Sequence, residues 1–256
     1  MMVGLAMSGV FGVVGFASAA PVQVRVSVRN LAPTNSVSFA PLRIGFHSGV
    51  YDSFNNGQAA GNAIISIAEG GSGSAWLPAF AAADPGATIG TVVPNPAGPL
   101  LPGASASSVF TVDPAANRFF SFGAMVVPSN DYFIGNDSPT QYMLFDANGN
   151  LAISSIKQRA RDIWDAGSEL DGPFGAAFLM GSSNDDRIAQ NGVVNVDFAG
   201  LSVFNGLTTA AGYVFNSQLG ADTDVYEVSF EIVPAPSSFA ALVVAGAVVG
   251  RRRRVR

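Results

Sequence analysis

The sequence predicts an all-β protein, an antiparallel β-sandwich with one short helix and long loops. Two observations carry that prediction. Gly, Pro, Asn and Asp punctuate the chain every ten or so residues from Pro21 to Val233. Between these breaks lie short runs with strand character rather than long amphipathic periods. Gln23-Val24-Arg25-Val26-Ser27-Val28-Arg29 alternates strictly, the pattern of a half-buried strand. Val109 to Val112 and Phe119 to Val127 read as further strands, the second too apolar to face water. Asn148-Gly149 is a tight-turn dipeptide between Tyr142–Phe145 and Leu151–Ile153, so it predicts a hairpin. Val193 to Phe198, Gly212 to Phe215 and Val225 to Val233 complete the set. Gln58 to Ala68 is the one helical stretch, with Ala60, Ile64, Ile67 and Ala68 at helical spacing. Ala81 to Pro102, rich in Ala, Gly and Pro, predicts a long surface loop. No internal repeat or domain boundary divides this body.

Composition narrows the function. The 256 residues are 48% hydrophobic and 12% charged, enough apolar material for one large core. Cysteine is absent, which excludes disulfides, thiolate metal sites and cysteine catalysis. One histidine removes most zinc sites and most imidazole acid–base chemistry. The formal net charge of −5 hides an asymmetry, because five of the 13 basic residues are Arg251 to Arg254 and Arg256. The rest of the chain is strongly acidic. That balance argues against nucleic acid, whose binding needs basic surface to displace counterions.

Both ends read as addresses. Val3 to Ala20 is apolar and runs through Ala17-Ser18-Ala19, an A-x-A cleavage pattern. Residues 1–19 are therefore predicted to be a signal peptide, although no Lys or Arg precedes the apolar stretch. Cleavage after Ala19, with Ala17 at the other small position, avoids leaving Pro21 first. At the other end, Val233-Pro234-Ala235-Pro236 precedes an apolar run from Phe239 to Gly250 and then the arginines. That run is shorter than the roughly 20 residues of a spanning helix. Four arginines would hold its end in the cytoplasm. The arrangement resembles the PEP-CTERM tail of bacterial exported proteins sorted by exosortases, with Ala235 where that family's Glu stands. The resemblance implies a Gram-negative-type envelope, transient membrane contact through the tail, and release or surface attachment after processing. The predicted organisation is thus 1–19 signal peptide, 20–232 β-sandwich and 233–256 sorting tail.

No P-loop, dinucleotide fingerprint, H-E-x-x-H or G-x-S-x-G string occurs, and the expectation is a non-enzymatic protein. His47, in Gly45-Phe46-His47-Ser48-Gly49, is read as structural. Carboxylates in turns are more informative, because calcium takes six to eight oxygens from Asp, Glu and backbone carbonyls on loops. Asp146-Ala147-Asn148-Gly149-Asn150 begins such a rhythm but lacks the distal Glu, and reads as a plain turn. Asp131 lies in Pro128-Ser129-Asn130-Asp131-Tyr132-Phe133-Ile134-Gly135, just past a strand end. Trp164-Asp165-Ala166-Gly167-Ser168-Glu169-Leu170-Asp171-Gly172 packs three carboxylates between glycines. Spacing alone supports a solvated acidic loop and a cation site equally.

Five strings in order resemble the spondin N-terminal domain of F-spondin, mindin and bacterial exported proteins. They are Val24–Pro33, Gly45–Gly49, Phe119–Phe122, the Pro128 segment and Asp165–Glu169. The resemblance covers roughly residues 22 to 219. It implies an antiparallel β-sandwich with one calcium ion held by loops at one end. Asp131 and Asp165 match the family's aspartates, and Glu169 stands where animal members carry a second aspartate. The family's remaining Glu falls near Thr111, with Asp113 two residues on as the candidate replacement. The resemblance and the two addresses together imply a cell-surface or extracellular-matrix protein with an adhesive or structural role. Its partner would be an extracellular glycan or matrix protein. The alternative is a carbohydrate- or exopolysaccharide-binding module, which exposed Tyr132, Trp164 or Trp76 would favour.

Overall fold

Strict alternation in the first strand builds the smaller of two sheets. In a computed structural model, which describes residues 20–234, β1 (Val22–Asn30) buries Val24, Val26 and Val28 and turns Arg25, Ser27 and Arg29 outward. On either side it pairs antiparallel with β5 (Ser105–Val112) and β11 (Asp224–Val233). β8 (Ser155–Arg159) closes the order β5-β1-β11-β8.

The larger sheet is organised on β6 (Phe119–Val127), which pairs with β3 (Leu42–His47) and with β7 (Tyr132–Gly135). Outside these lie β4 (Thr88–Val92) on one flank, and β9 (Trp164–Asp165) and β10 (Asn195–Val196) on the other. The short β2 (Ser38–Phe39) also pairs with β6. Every pairing is antiparallel, and the two sheets pack as a sandwich.

Strand β6 shows why its sequence does not alternate. Phe120, Phe122, Ala124 and Val126 face the inter-sheet core. Phe120 meets Phe230 of the opposite sheet edge-on at 4.8 Å. The other face of the larger sheet is covered by α1 (Asn62–Ala68) and α2 (Trp76–Ala83). With both faces covered, apolar residues suit both. Glycines allow the helices to come close. A Cβ on Gly45 would lie 2.3 Å from the Phe80 ring, and one on Gly123 would lie 2.8 Å from Ile67 Cδ1.

Several expectations are corrected. The helix predicted over 58–68 forms only from Asn62. The segment predicted as a surface loop, 81–102, holds the end of α2, all of β4, and buried Leu100, whose N–H and C=O both pair with Phe39. Its short Ala- and Gly-rich runs take structure from pairing partners far away in sequence. The hairpin around Asn148-Gly149 shrinks to a single bridge between Phe145 and Leu151. There Asp146 Oδ1 accepts the N–H groups of Asn148 and Asn150, so its carboxylate builds the turn. Gly212 to Phe215 contributes one bridge and no strand.

Val233 is the last residue of β11, opposite Gln23, so the sheet includes the first residue of the predicted sorting motif. Ala17 and Ala19, together with Ala235, Pro236, the apolar run and the arginines, lie outside the described residues. Among the described residues no helix is long and apolar enough to cross a membrane.

Candidate functional site

The β6–β7 turn places Asp131. Ser129 Oγ donates to Val126 O and accepts the Tyr132 N–H, reversing the chain inside a fully buried segment. β7 then pairs with β9, setting Tyr132 opposite Asp165, and the Ala166 N–H donates to Asp131 O. The turn and the 165–169 segment are thereby side by side.

The Asp131 carboxylate fastens them together. Its Oδ2 accepts the Ser168 N–H at 2.7 Å, the Glu169 N–H at 2.9 Å and the Ser168 hydroxyl at 3.1 Å. Asp165 Oδ1 accepts the Gly167 N–H at 2.6 Å. Gly167 has φ +64°, and a Cβ there would stand 2.6 Å from Val193 O, so only glycine fits this tight passage.

The structure thus brings Asp131, Asp165 and Glu169 to one end of the sandwich, all three buried. Burial, followed by the charge of Asp131, pushes the Asp165 carboxyl up to about 6. Asp131 is raised by burial and by Asp171, against the N–H groups of Glu169 and Ser168 that favour its ionised form. Glu169 is raised by burial and by the charges of Glu69 and Asp131, against the opposing pull of Arg187. Like charges held together in a low-dielectric place cost free energy unless a cation or proton offsets them.

Two carboxylate oxygens of this end lack a hydrogen bond. Asp131 is fully buried, and its Oδ1 accepts no hydrogen bond. Glu169 is turned differently: Oε1 lies 3.2 Å from Arg187 Nε, while Oε2 is also without a hydrogen bond. Arg187 further donates to Glu69 O at 2.7 Å and lies 3.4 Å from Glu69 Oε2. Among the described residues, no three acidic or histidine side chains converge closely enough to hold a metal. The fit to a hard cation therefore rests on the orphaned Oδ1 of Asp131 and on the all-oxygen donor set around it.

Asp113 is not brought to this end. It follows β5 in the smaller sheet, and its Oδ1 accepts the Ala115 N–H at 2.9 Å. The family resemblance points to this position, but β5 ends with Val112 opposite Val22, at the start of β1 and in the other sheet from Asp131. Two other carboxylates join the site unannounced. Tyr132 Oη lies 2.8 Å from Asp171 Oδ2 and 3.2 Å from Asp197 Oδ2, and a Cβ on Gly200 would collide with that hydroxyl. Only the residue count in the 165–172 string hinted at Asp171. Nothing local marked Asp197 or Arg187.

The Spondin_N family profile matches residues 30–169, more than half of the chain. The chain belongs to the spondin N-terminal family. No curated protein matches it. The spondin match begins at Asn30, a buried residue whose amide donates to Val37 O and Leu100 O, and ends at Glu169. It therefore contains all three clustered carboxylates.

The aromatic residues that could form a sugar platform are arranged otherwise in this spondin domain. Trp76 and Tyr132 are fully buried. Trp164 is half-buried against Phe54, with ring centroids 5.2 Å apart. His47 is also fully buried. Its Nδ1 accepts the Gly49 N–H at 3.0 Å, which leaves Nε2 to donate to Ser121 Oγ at 2.9 Å. Asp84 bonds to Ser48 rather than to the imidazole. The ring therefore joins β3 to β6.

Burial depresses the His47 pKa from 6.5 to about 4, against a smaller raising effect of Asp84. A depressed folded pKa contributes stability that is complete above the unfolded value and lost as pH falls toward the folded one. The wild-type melting temperature should therefore decline between pH 6.5 and 4 more steeply than that of His47→Asn. Parallel curves for the two proteins would contradict a buried neutral imidazole.

Proposed function

We propose that this spondin-family domain is an exported, non-catalytic binding protein of the cell surface or extracellular matrix, with one calcium ion at the Asp131 end. The observation that carries the calcium reading is the buried, unpartnered Oδ1 of Asp131 beside a second carboxylate whose pKa its charge raises. Asp131 and Asp165 would hold the ion, and Glu169 is the third candidate. A bound calcium ion would supply the positive charge that these buried carboxylates lack. Membership of a family typical of extracellular proteins supports the location. The absence of cysteine makes a loop-fastening ion useful, since no disulfide restrains this end. The adhesive role follows from family and address together, and the partner would be an extracellular glycan or matrix protein.

A ligand bound only by the folded state adds RT ln(1 + [L]/Kd), about 2.7 kcal/mol at a hundredfold excess over Kd. For a domain of this size that is a rise in melting temperature of roughly 5–10 °C. Calcium should produce such a rise by scanning fluorimetry, and chelator should reverse it. Asp165→Asn should blunt the response, and Asp113→Asn should leave it intact. An unchanged melting temperature in saturating calcium would overturn the metal reading.

The tail is the second part of the proposal. Val233-Pro234-Ala235-Pro236, the apolar run and the arginines together support sorting by exosortase-type machinery in a bacterial envelope. Intact-mass measurement of the extracellular protein should find both the first 19 residues and the arginine cluster removed. Arg251 to Arg254 retained on the extracellular form would refute processing.

A further inference from the structure

Next to the carboxylate cluster, and apart from Asn130 beyond the residues that the family profile covers, the chain builds a groove of about 300 Å³. Asn130, Leu170, Asp171, Phe174, Asp186 and Ile188 line it. Backbone bonds hold its walls. The Leu170 N–H donates to Ile188 O, the Ser183 N–H donates to Phe174 O, and Glu169 bridges to Ala189. Asn130 Oδ1 accepts the Gly172 N–H from below. Gly175 lets the walls close, since a Cβ there would stand 2.9 Å from Arg187 Cα.

The lining is unusual for a solvent-facing loop. Phe174 is 72% exposed, Ile188 61% and Leu170 47%. Contiguous exposed apolar side chains with a polar rim are a mark of interaction surfaces. Acidic residues surround them: Asp171 and Asp186 in the lining, and Asp185 beside it. The nearby cation, Arg187, is already engaged with Glu69 and Glu169. The groove therefore presents apolar surface and uncompensated negative charge together.

We infer that this groove docks an arginine-bearing, apolar segment of a partner protein. Each part of an arginine finds its complement there. Leu170 and Ile188 suit the aliphatic stem. The open face of Phe174 suits the planar guanidinium. Asp171 and Asp186 suit its charge and its forked donors. An anionic surface would meet repulsion from the same carboxylates, and a neutral sugar stacked on Phe174 would bring no positive charge to Asp171 and Asp186. The inference rests on the extracellular binding role proposed above but not on calcium, so it is tested in chelator, where failure of the metal reading has no effect.

The probe is a dye-labelled octapeptide of alternating leucine and arginine, titrated with the purified protein and followed by fluorescence anisotropy. Saturable binding that weakens with salt is expected. Phe174→Ala should weaken it about three- to tenfold, the weight of one cation–π contact. Asp186→Asn should weaken it by a similar factor. The citrulline peptide, which keeps shape and loses charge, should bind at least as poorly as the arginine peptide binds to either variant. Both substituted residues are exposed, and circular dichroism would confirm folding. Absent binding, or binding indifferent to Phe174→Ala in a folded variant, would overturn the inference. So would phosphatidylglycerol vesicles captured in place of the peptide, or a concentration-dependent dimer that Phe174→Ala abolishes.

Discussion

The structure depends at its functional end on one buried carboxylate. Asp131 Oδ2 takes three donors from Ser168 and Glu169, and this bond set ties the β6–β7 turn to the segment that follows β9. Desolvating a carboxylate is costly, and charge-assisted bonds to N–H groups offset part of that cost. The remaining oxygen has no such compensation. Asp165 and Glu169 add negative charge around it, and of these three carboxylates the guanidinium of Arg187 reaches only Glu169. The site is thus anchored through half of one side chain and left electrostatically unfinished through the other half. The proposed calcium ion would complete it in chemical terms, with hard oxygens meeting a hard ion.

Rigidity behind the site comes from a sheet covered on both faces. Phe120, Phe122, Ala124 and Val126 of β6 fill the sandwich, while α1 and α2 close the outer face over Gly45 and Gly123. Tyr132 and Ile134 of β7 join the first core, and Phe133 joins the second. Asp131 therefore extends from a strand locked from both sides. Such a base positions a ligand more sharply than a free loop can.

The elements legible in the sequence were those whose pattern is local. β1 was readable because its outer face meets water, and β6 because its length and apolar character exceed any surface strand. β4 was not readable as a strand, since it lies in an Ala-, Gly- and Pro-rich stretch and is defined by its pairing with β3 rather than by alternation. Within the site, Asp131, Asp165 and Glu169 were found through short strings shared with the spondin family. Asp113 was not marked as lying elsewhere by anything local, since only the pairing of Val112 with Val22 shows where β5 ends. Asp197 and Arg187 reach the site only through long-range folding, and no neighbouring residue marks them. The acidic, aromatic groove of Leu170 to Ile188 was invisible for the same reason.

The most direct test of the cation site uses terbium, a hard trivalent ion that stands in for calcium. Tyr132 follows Asp131 and pairs opposite Asp165, and Trp164 precedes Asp165, so two aromatic rings flank the site as donors for a bound terbium. Sensitised green emission should rise saturably with terbium, fall on addition of calcium, and vanish in folded Asp131→Asn. Absence of sensitised emission from the folded wild-type protein, or emission unchanged by Asp131→Asn, would contradict a cation centred on Asp131.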